Sequence, residues 1–395
     1  MFKPTSIDPK IIKTFGVEVE VEHTGRRQIS VALEKLFGKV ENAERPGGVG
    51  SQGAIKQITH DASVESMVYE LKSGLRVYGG TNLSRRLLDV FDTATSGAEI
   101  ISNPLSYNDL EVAVGLLLPK LSTIGESFSP RASIHIHSGF PIILESLKCL
   151  IAVGIRFEGL LFAIAGMGHL YRGHINNSIY SRPLQLGVAV PLNDSDGFYL
   201  MKPERALRAQ DMESFWKTFG LSNWRGGTTR YHPARYFSVN FYSTLLIGTA
   251  EFRTMNLCFD PDMVMAGVRL YRLMAEIAAY CPTYTRIMQE PELRVTVKND
   301  TDTYFSALKR LILLGRECNT DNTLSEYDVD TLLRIIEKSP APVFKETPII
   351  THVKNFSLSK DSLPVDAEFA RTAQLSGNLD IHTFGEKETS ILYKE

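Results

Sequence analysis

Three short stretches of the chain set charged and imidazole side chains two residues apart. Residues 15–22 read Phe-Gly-Val-Glu-Val-Glu-Val-Glu, so Glu18, Glu20 and Glu22 alternate with valines. Residues 132–137 carry His135 and His137 around Ile134 and Ile136, with Ser133 in step. Residues 248–253 carry Glu251 and Arg253. Such alternation is the period of a β-strand with one buried and one open face, so each pair points to one side. If the three strands share a sheet, that face presents Glu-x-Glu, His-x-His and Glu-x-Arg together. Carboxylates and imidazoles on one rigid surface hold divalent metal, and an arginine beside them holds an anion. The combination suits phosphate chemistry with a nucleotide.

Each stretch also has a plainer reading. A row of glutamates on a solvated strand face repels itself, and Mg²⁺ or Mn²⁺ removes that repulsion because hard cations prefer carboxylate oxygens. The row is therefore either a solvated edge strand or a metal site. A single strand histidine is usually structural, whereas two on one face allow one metal ligand and one phosphate donor. Glu251 and Arg253 are either an in-strand ion pair of little energetic weight or a metal ligand beside an anion fork. Glu99, Asp61 and Glu65 matter only if a metal cluster needs another carboxylate. The chain has no Walker loop, GxGxxG, GxSxG or HExxH motif, so any use of ATP is without a P-loop.

The elements needed to hold these residues can be read around them. A helix is expected at about 28–37, with Ile29, Leu33, Leu36 and Phe37 on one side, then a glycine-rich loop at 44–56. Short segments follow around Ile58, Met67 and Val77, then a helix at about 83–93. A strand from Glu99 stops at Pro104, and a helix at 108–123 follows, with Asn108 as its cap. The apolar stretch 142–167 reads as a buried helix, or two with a break near Gly154. Its charges, Glu145, Lys148, Arg156 and Glu158, keep it below the roughly 20 uncharged residues of a membrane span. Residues 170–200 read as an irregular loop, 203–218 as a helix, and 236–242 as a strand forming an antiparallel hairpin with the Glu251 strand through a turn near Gly248. Helices at 262–280, 302–317 and 326–337 follow. These elements lack a βαβ rhythm, so the fold class is α+β with an antiparallel sheet. Residues 1–339 read as one domain and 340–395, broken by prolines, as a partly ordered tail.

Composition narrows the function classes. With 43 Lys and Arg against 45 Asp and Glu the net charge is −2, which gives no strong nucleic-acid signal. Cys149, Cys258, Cys281 and Cys318 form no CxxC pair, and reduced, buried thiols are expected. No apolar run follows the first residues, so no secretory signal is expected, and the compartment expected is cytoplasmic with no membrane.

The order of motifs carries a resemblance. Gly-Val-Glu-Val-Glu, His-Asp-Ala-Ser-Val, Glu-Ile-Ile-Ser-Asn-Pro-Leu, Ser-Ile-His-Ile-His, Arg-Tyr-Phe-Ser-Val-Asn and Ala-Glu-Phe-Arg, in that sequence, resemble the amidoligase family. That family belongs to the carboxylate–amine ligase superfamily of glutamine synthetase and glutamate–cysteine ligase. The match covers about residues 15–255. It departs where the family often has Ser-Pro and this chain has Ser102-Asn103-Pro104.

The resemblance implies a curved antiparallel sheet with helices packed on its outer face, ATP, and two or three Mg²⁺ or Mn²⁺ ions. It implies Glu18, Glu20, Glu99, His135 and Glu251 as metal ligands, with Glu18 and Glu20 divided between two metals and His135 sharing a site with Glu251. His137, Arg253 and Asn240 would face the nucleotide, and Arg253 and Arg235 would act on the transferring phosphate or substrate. Together with Glu18 and Glu20, these two arginines form the catalytic set. The implied reaction joins a carboxylate substrate to an amine substrate, small molecule or peptide, through an acyl phosphate. The loops at 44–56 and 170–200 would then cover the site, and a homo-oligomer is left open. The rivals are a metal-dependent hydrolase or nuclease on the same surface, and an inactive interaction protein.

Overall fold

The computed structural model describes residues 14–21, 98–123, 132–165, 181–193, 197–222, 232–321, 324–338 and 357–367, with shorter strand and helix pieces between and beyond them. The strands in chain order are β1 Phe15–Val21, β2 Ile55–Thr59, β3 Met67–Glu70, β4 Arg76–Gly79, β5 Ala98–Ser102, β6 Ser133–Gly139, β7 Val188–Pro191, β8 Gly197–Met201, β9 Val239–Asn240, β10 Thr249–Asn256, β11 Ile349–His352, β12 Phe369–Arg371 and β13 His382–Thr383. The helices are α1 Tyr107–Thr123, α2 Leu144–Ile164, α3 Met212–Lys217, α4 Ser243–Ile247, α5 Pro261–Tyr280, α6 Tyr284–Met288, α7 Thr301–Glu317 and α8 Glu326–Lys338.

The class is mixed α+β, as the alternation and helical runs imply. One sheet has the order β2-β5-β1-β6-β10-β9, and every neighbouring pair is antiparallel. The three chemistry-bearing strands β1, β6 and β10 are therefore adjacent. Their other face is apolar: Val17, Val19, Ile134, Ile136 and Phe252 are all buried. Helices α2 and α5 lie against this part of the sheet. The ring of Tyr271 on α5 stacks on Phe252 at 4.7 Å and 6°, and its hydroxyl meets Thr254 Oγ1 at 2.8 Å. Burying each large apolar side chain here contributes about 1.5–3 kcal/mol. The alternating pattern thus fixes both faces, one against the helices and one toward the site.

Several expected elements differ. Of the two readings of the apolar stretch 142–167, the single buried helix holds: α2 runs unbroken through Gly154. A Cβ at that position would stand 2.4 Å from Leu184 Cδ1, so the glycine admits a close neighbour and does not end the helix. The expected helix at 203–218 divides into a 3₁₀ turn, Pro203–Arg208, and α3. Asp211 starts α3 by a capping box: its carboxylate accepts from Ser214 N at 2.7 Å, and Ser214 Oγ accepts from Asp211 N at 3.2 Å. The expected strand at 236–242 shrinks to β9, because Asn240 Oδ1 accepts from Ser243 N at 3.1 Å and turns the chain into α4. That helix ends at Gly248, whose φ of 74° is left-handed and suits glycine. The first helix is seen in residues 29, 31–33 and 36, with Ile29 and Leu33 buried.

A second sheet has the order β12-β8-β7-β11-β13. Its β7–β8 hairpin lies in the segment expected to be an irregular loop, and β11, β12 and β13 come from the segment read as a tail. The glycine-rich loop through residue 54, the helix expected at 83–93, residues 170–180, and Glu22, Asp61 and Glu65 lie outside the described residues.

Candidate metal centre

Strand register decides which side chains meet on the open face. Antiparallel pairing sets Glu20 opposite Glu99, Glu18 opposite His135, Glu251 opposite His137, and Glu251 opposite Asn240. Directly opposed residues on a sheet stand close enough for their side chains to interact. The result is a row of four carboxylates and two imidazoles across four adjacent strands, with β9 supplying Asn240 at its end.

The contacts follow from that register. His135 Nδ1 lies 3.5 Å from both Glu18 Oε2 and Glu251 Oε1. His137 Nε2 lies 3.3 Å from Glu18 Oε1 and 3.9 Å from Glu251 Oε1. His135 Nε2 is 3.8 Å from Glu20 Oε1. Arg253 Nη1 pairs with Glu251 Oε1, and Asn240 Nδ2 donates to Glu251 Oε2 at 2.5 Å. The Glu18 side chain is 22% exposed while those of His135 and Glu251 are 4% and 5%, so approach to the cluster is from the Glu18 side.

Each imidazole is oriented from behind. Thr249 Oγ1 meets His137 Nδ1 at 2.9 Å and Ser133 Oγ meets His135 Nε2 at 2.9 Å. Ser133 Oγ also donates to Glu20 Oε2. The remaining nitrogens, His135 Nδ1 and His137 Nε2, are buried, have no hydrogen-bond partner, and aim at Glu18 and Glu251. Buried polar atoms are normally paired, so two orphaned nitrogens facing two carboxylates require an explanation. A divalent cation between them supplies one: neighbouring ligands around such an ion stand roughly 3 Å apart. Two groups have this shape, Glu18 with Glu99 and His135, and Glu18 with His137 and Glu251, the ligand atoms of each lying within 4.8 Å of one another. Mixed imidazole and carboxylate donors suit Mn²⁺ or Zn²⁺ better than Mg²⁺ at these positions.

Electrostatics match the geometry. Burial pushes the Glu18 carboxyl up, but the charges of His137 and His135 outweigh it and hold the group well below the usual carboxylate range. Glu251 is lowered against burial by Arg253, then by the histidines. Burial opposes the charge on His137, yet Glu18 and Glu251 raise it above the ordinary histidine value. The carboxylates are thus ionised, ready for a cation.

The sheet brings together every sequence-predicted site residue that it describes except Arg235. That residue lies in the 3₁₀ turn Pro233–Tyr236, with its guanidinium 5.5 Å from the Tyr236 ring centroid. Three details differ from the resemblance. Glu18 belongs to both ligand groups and Glu20 to neither. His137, assigned to the nucleotide, groups with Glu18 and Glu251. Asn240 and Arg253 hold Glu251 directly. Thr249 was not anticipated, although it continues the same-face alternation one step before Glu251.

No protein-family model matches the chain, and no curated protein is significantly similar to it. Among the described residues, no helix is long and apolar enough to cross a membrane.

Proposed function

We propose that the chain is an ATP-dependent carboxylate–amine ligase built on a carboxylate–histidine metal centre. The observation that carries the reading is the meeting of Glu18, Glu99, His135, His137 and Glu251 on one face, beside Arg253. These positions come from four of the six motifs, in their order along the chain. The fold in this reading is the curved sheet of the glutamine synthetase and glutamate–cysteine ligase type.

Glu18, Glu99 and His135 would hold one divalent ion, and Glu18, His137 and Glu251 another. Such ions neutralise phosphate charge and stabilise charge in transfer. Thr249 and Ser133 fix the two rings so that Nε2 of His137 and Nδ1 of His135 face inward. Arg253 and Asn240 clamp both oxygens of Glu251, so its carboxylate keeps one orientation. Arg253 also brings a permanent positive charge close to the cluster, where charge on a transferring phosphoryl group would be stabilised. The reaction is attack of a substrate carboxylate on the γ-phosphate of ATP, then displacement of phosphate from the acyl phosphate by an amine. Buried walls around His135, Glu251 and Arg253 limit water at such an intermediate.

The test is ADP release from ATP with Mg²⁺ or Mn²⁺, against pools of amino acids, peptides and small amines. The reading expects metal-dependent ADP that rises with one pool and disappears in Glu18→Ala. Metal binding without ATP binding, together with metal-dependent hydrolysis of a phosphodiester or peptide, would replace it with a hydrolase.

A further inference from the structure

Glu20 is the one carboxylate of the sequence-predicted site that joins neither ligand group. It is nevertheless only 7% exposed. The pairing of Val19 with Ile134 brings the next residue of β1, Glu20, beside the residue before Ile134, which is Ser133 on β6. Ser133 is itself 4% exposed. A charged group this far from water needs partners close by. The Ser133 hydroxyl is one, donating to Glu20 Oε2. The same hydroxyl oxygen stands 2.9 Å from His135 Nε2. Glu20 Oε1 is 3.8 Å from that nitrogen, beyond hydrogen-bond reach. The hydrogen-bonded link from Glu20 to His135 therefore runs through Ser133.

Counting protons fixes the direction of that link. A serine hydroxyl has one proton to give, and an ionised carboxylate has none. With its proton given to Glu20, the Ser133 oxygen can only accept from His135 Nε2. Neutral His135 then carries its proton on Nε2, and Nδ1 keeps a free lone pair. Nδ1 is the buried nitrogen without a hydrogen-bond partner, and it faces Glu18 Oε2 and Glu251 Oε1, each at 3.5 Å. A lone pair set against two carboxylates repels them, and a cation between the three turns that repulsion into ligation.

We infer that Glu20 and Ser133 are positioning residues for the metal centre. Glu20, acting through the Ser133 hydroxyl, fixes the Nε2–H tautomer of His135 and makes Nδ1 the ligand, so it strengthens an ion that it does not touch. A carboxylate behind a ligating histidine orients the ring and raises its basicity. The inference rests on the metal centre of the proposed function and not on its ATP chemistry. It separates Glu20 from Glu18, which ligates directly although a single valine stands between them. His137 is backed by Thr249 instead, with Oγ1 at 2.9 Å from Nδ1. The ion held by His137 is therefore an internal control for any change at Ser133.

The experiment loads the full chain with Zn²⁺, a diamagnetic ion that accepts imidazole nitrogen. Histidines labelled with ¹⁵N report their tautomers in long-range ¹H–¹⁵N spectra, and His135→Gln assigns the signal. His135 is expected to carry its proton on Nε2 and the metal on Nδ1. In calorimetric titrations with Zn²⁺, Ser133→Ala and Glu20→Gln should each weaken one ion about 10–100-fold and leave the other unchanged. Ser133→Thr, which keeps the hydroxyl, should restore the weakened ion. A proton on Nδ1, zinc on Nε2, or unaltered affinities in Ser133→Ala would overturn the relay while leaving a metal site in place. No zinc on the unsubstituted chain would remove the metal centre and the relay together. ADP release enters neither measurement, so failure of the ligase reading is seen separately. The spectrum of the unsubstituted chain decides the tautomer even if a variant fails to fold.

Discussion

Glu18 belongs to both candidate ligand groups, and its two oxygens divide between them. Oε2 faces His135 and Oε1 faces His137, so a single carboxylate bridges the two ligand groups. Glu99 contributes to one group alone. The stoichiometry of binding should therefore separate the two. Calorimetric titration with Mn²⁺ is expected to show two ions on the unsubstituted chain, one on Glu99→Gln, and at least a 100-fold weaker total affinity on Glu18→Gln. Glu20→Gln should retain both ions, because its carboxylate is held by Ser133 outside both groups. Two tight ions on Glu18→Gln would remove the bridge from the account. At this scale the sequence was informative about which side chains share a face, since a period of two carries that information. It was silent on partners. Whether Glu18 or Glu20 meets the histidines depends on strand order and register, and nothing in the local pattern of β1 encodes which strands lie beside it.

Among the helices, α2 carries the most consequential buried charge. Glu158 is fully enclosed, yet its carboxylate accepts from Leu184 N at 2.6 Å, from Gln185 N at 3.0 Å, and from Ser238 Oγ. It thereby ties the segment before β7 to the segment before β9. Burial outweighs these hydrogen bonds and raises its pKa from 4.5 to about 7. The folded protein thus holds this proton more tightly than the unfolded chain. The stability this contributes is fully present below pH 4.5 and is lost as pH rises through about 7, a change of about 3 kcal/mol at most. Melting curves from pH 5 to 8 should show the unsubstituted chain losing stability relative to Glu158→Gln, which has no proton to release. Parallel curves for the two would refute the shift. The sequence marked Glu158 only as a charge that argued against a membrane span. Its role was illegible because its partners lie 26 and 80 residues away. The alternative of a break at Gly154 falls for a related reason: the glycine answers to Leu184, a residue outside its own helix.

For the molecule as a whole, the question is whether the last residues are an appendage or part of the frame. The strands of the main sheet all lie before residue 257, so the candidate metal site needs nothing from the C-terminus for its own strands. The second sheet does: β11 pairs with β7 and β12 pairs with β8, one on each side of that hairpin. Leu358 joins this layer, with its N–H donating to Pro191 O at 3.0 Å and its carbonyl accepting from Asn193 N at 3.0 Å. Its side chain fills the space over Gly220, where a Cβ would come within 2.5 Å of it. Leu358 and Leu363 are both 4% exposed and belong to the continuous apolar core. Prolines in the sequence made this stretch look like a tail because they interrupt helix and strand periodicity. They do not prevent short strands from adding to a sheet edge. Deleting residues 340–395 would uncover both edges of the hairpin at once and open the core under Leu358. Leu358→Ala alone is expected to cost about 2–5 kcal/mol in denaturant unfolding, and the deletion to lower the melting temperature further or leave the chain insoluble. A truncated chain that melts with the full-length protein would return these residues to the status of a tail and leave β7 and β8 stable as an isolated hairpin, which two strands seldom are in water.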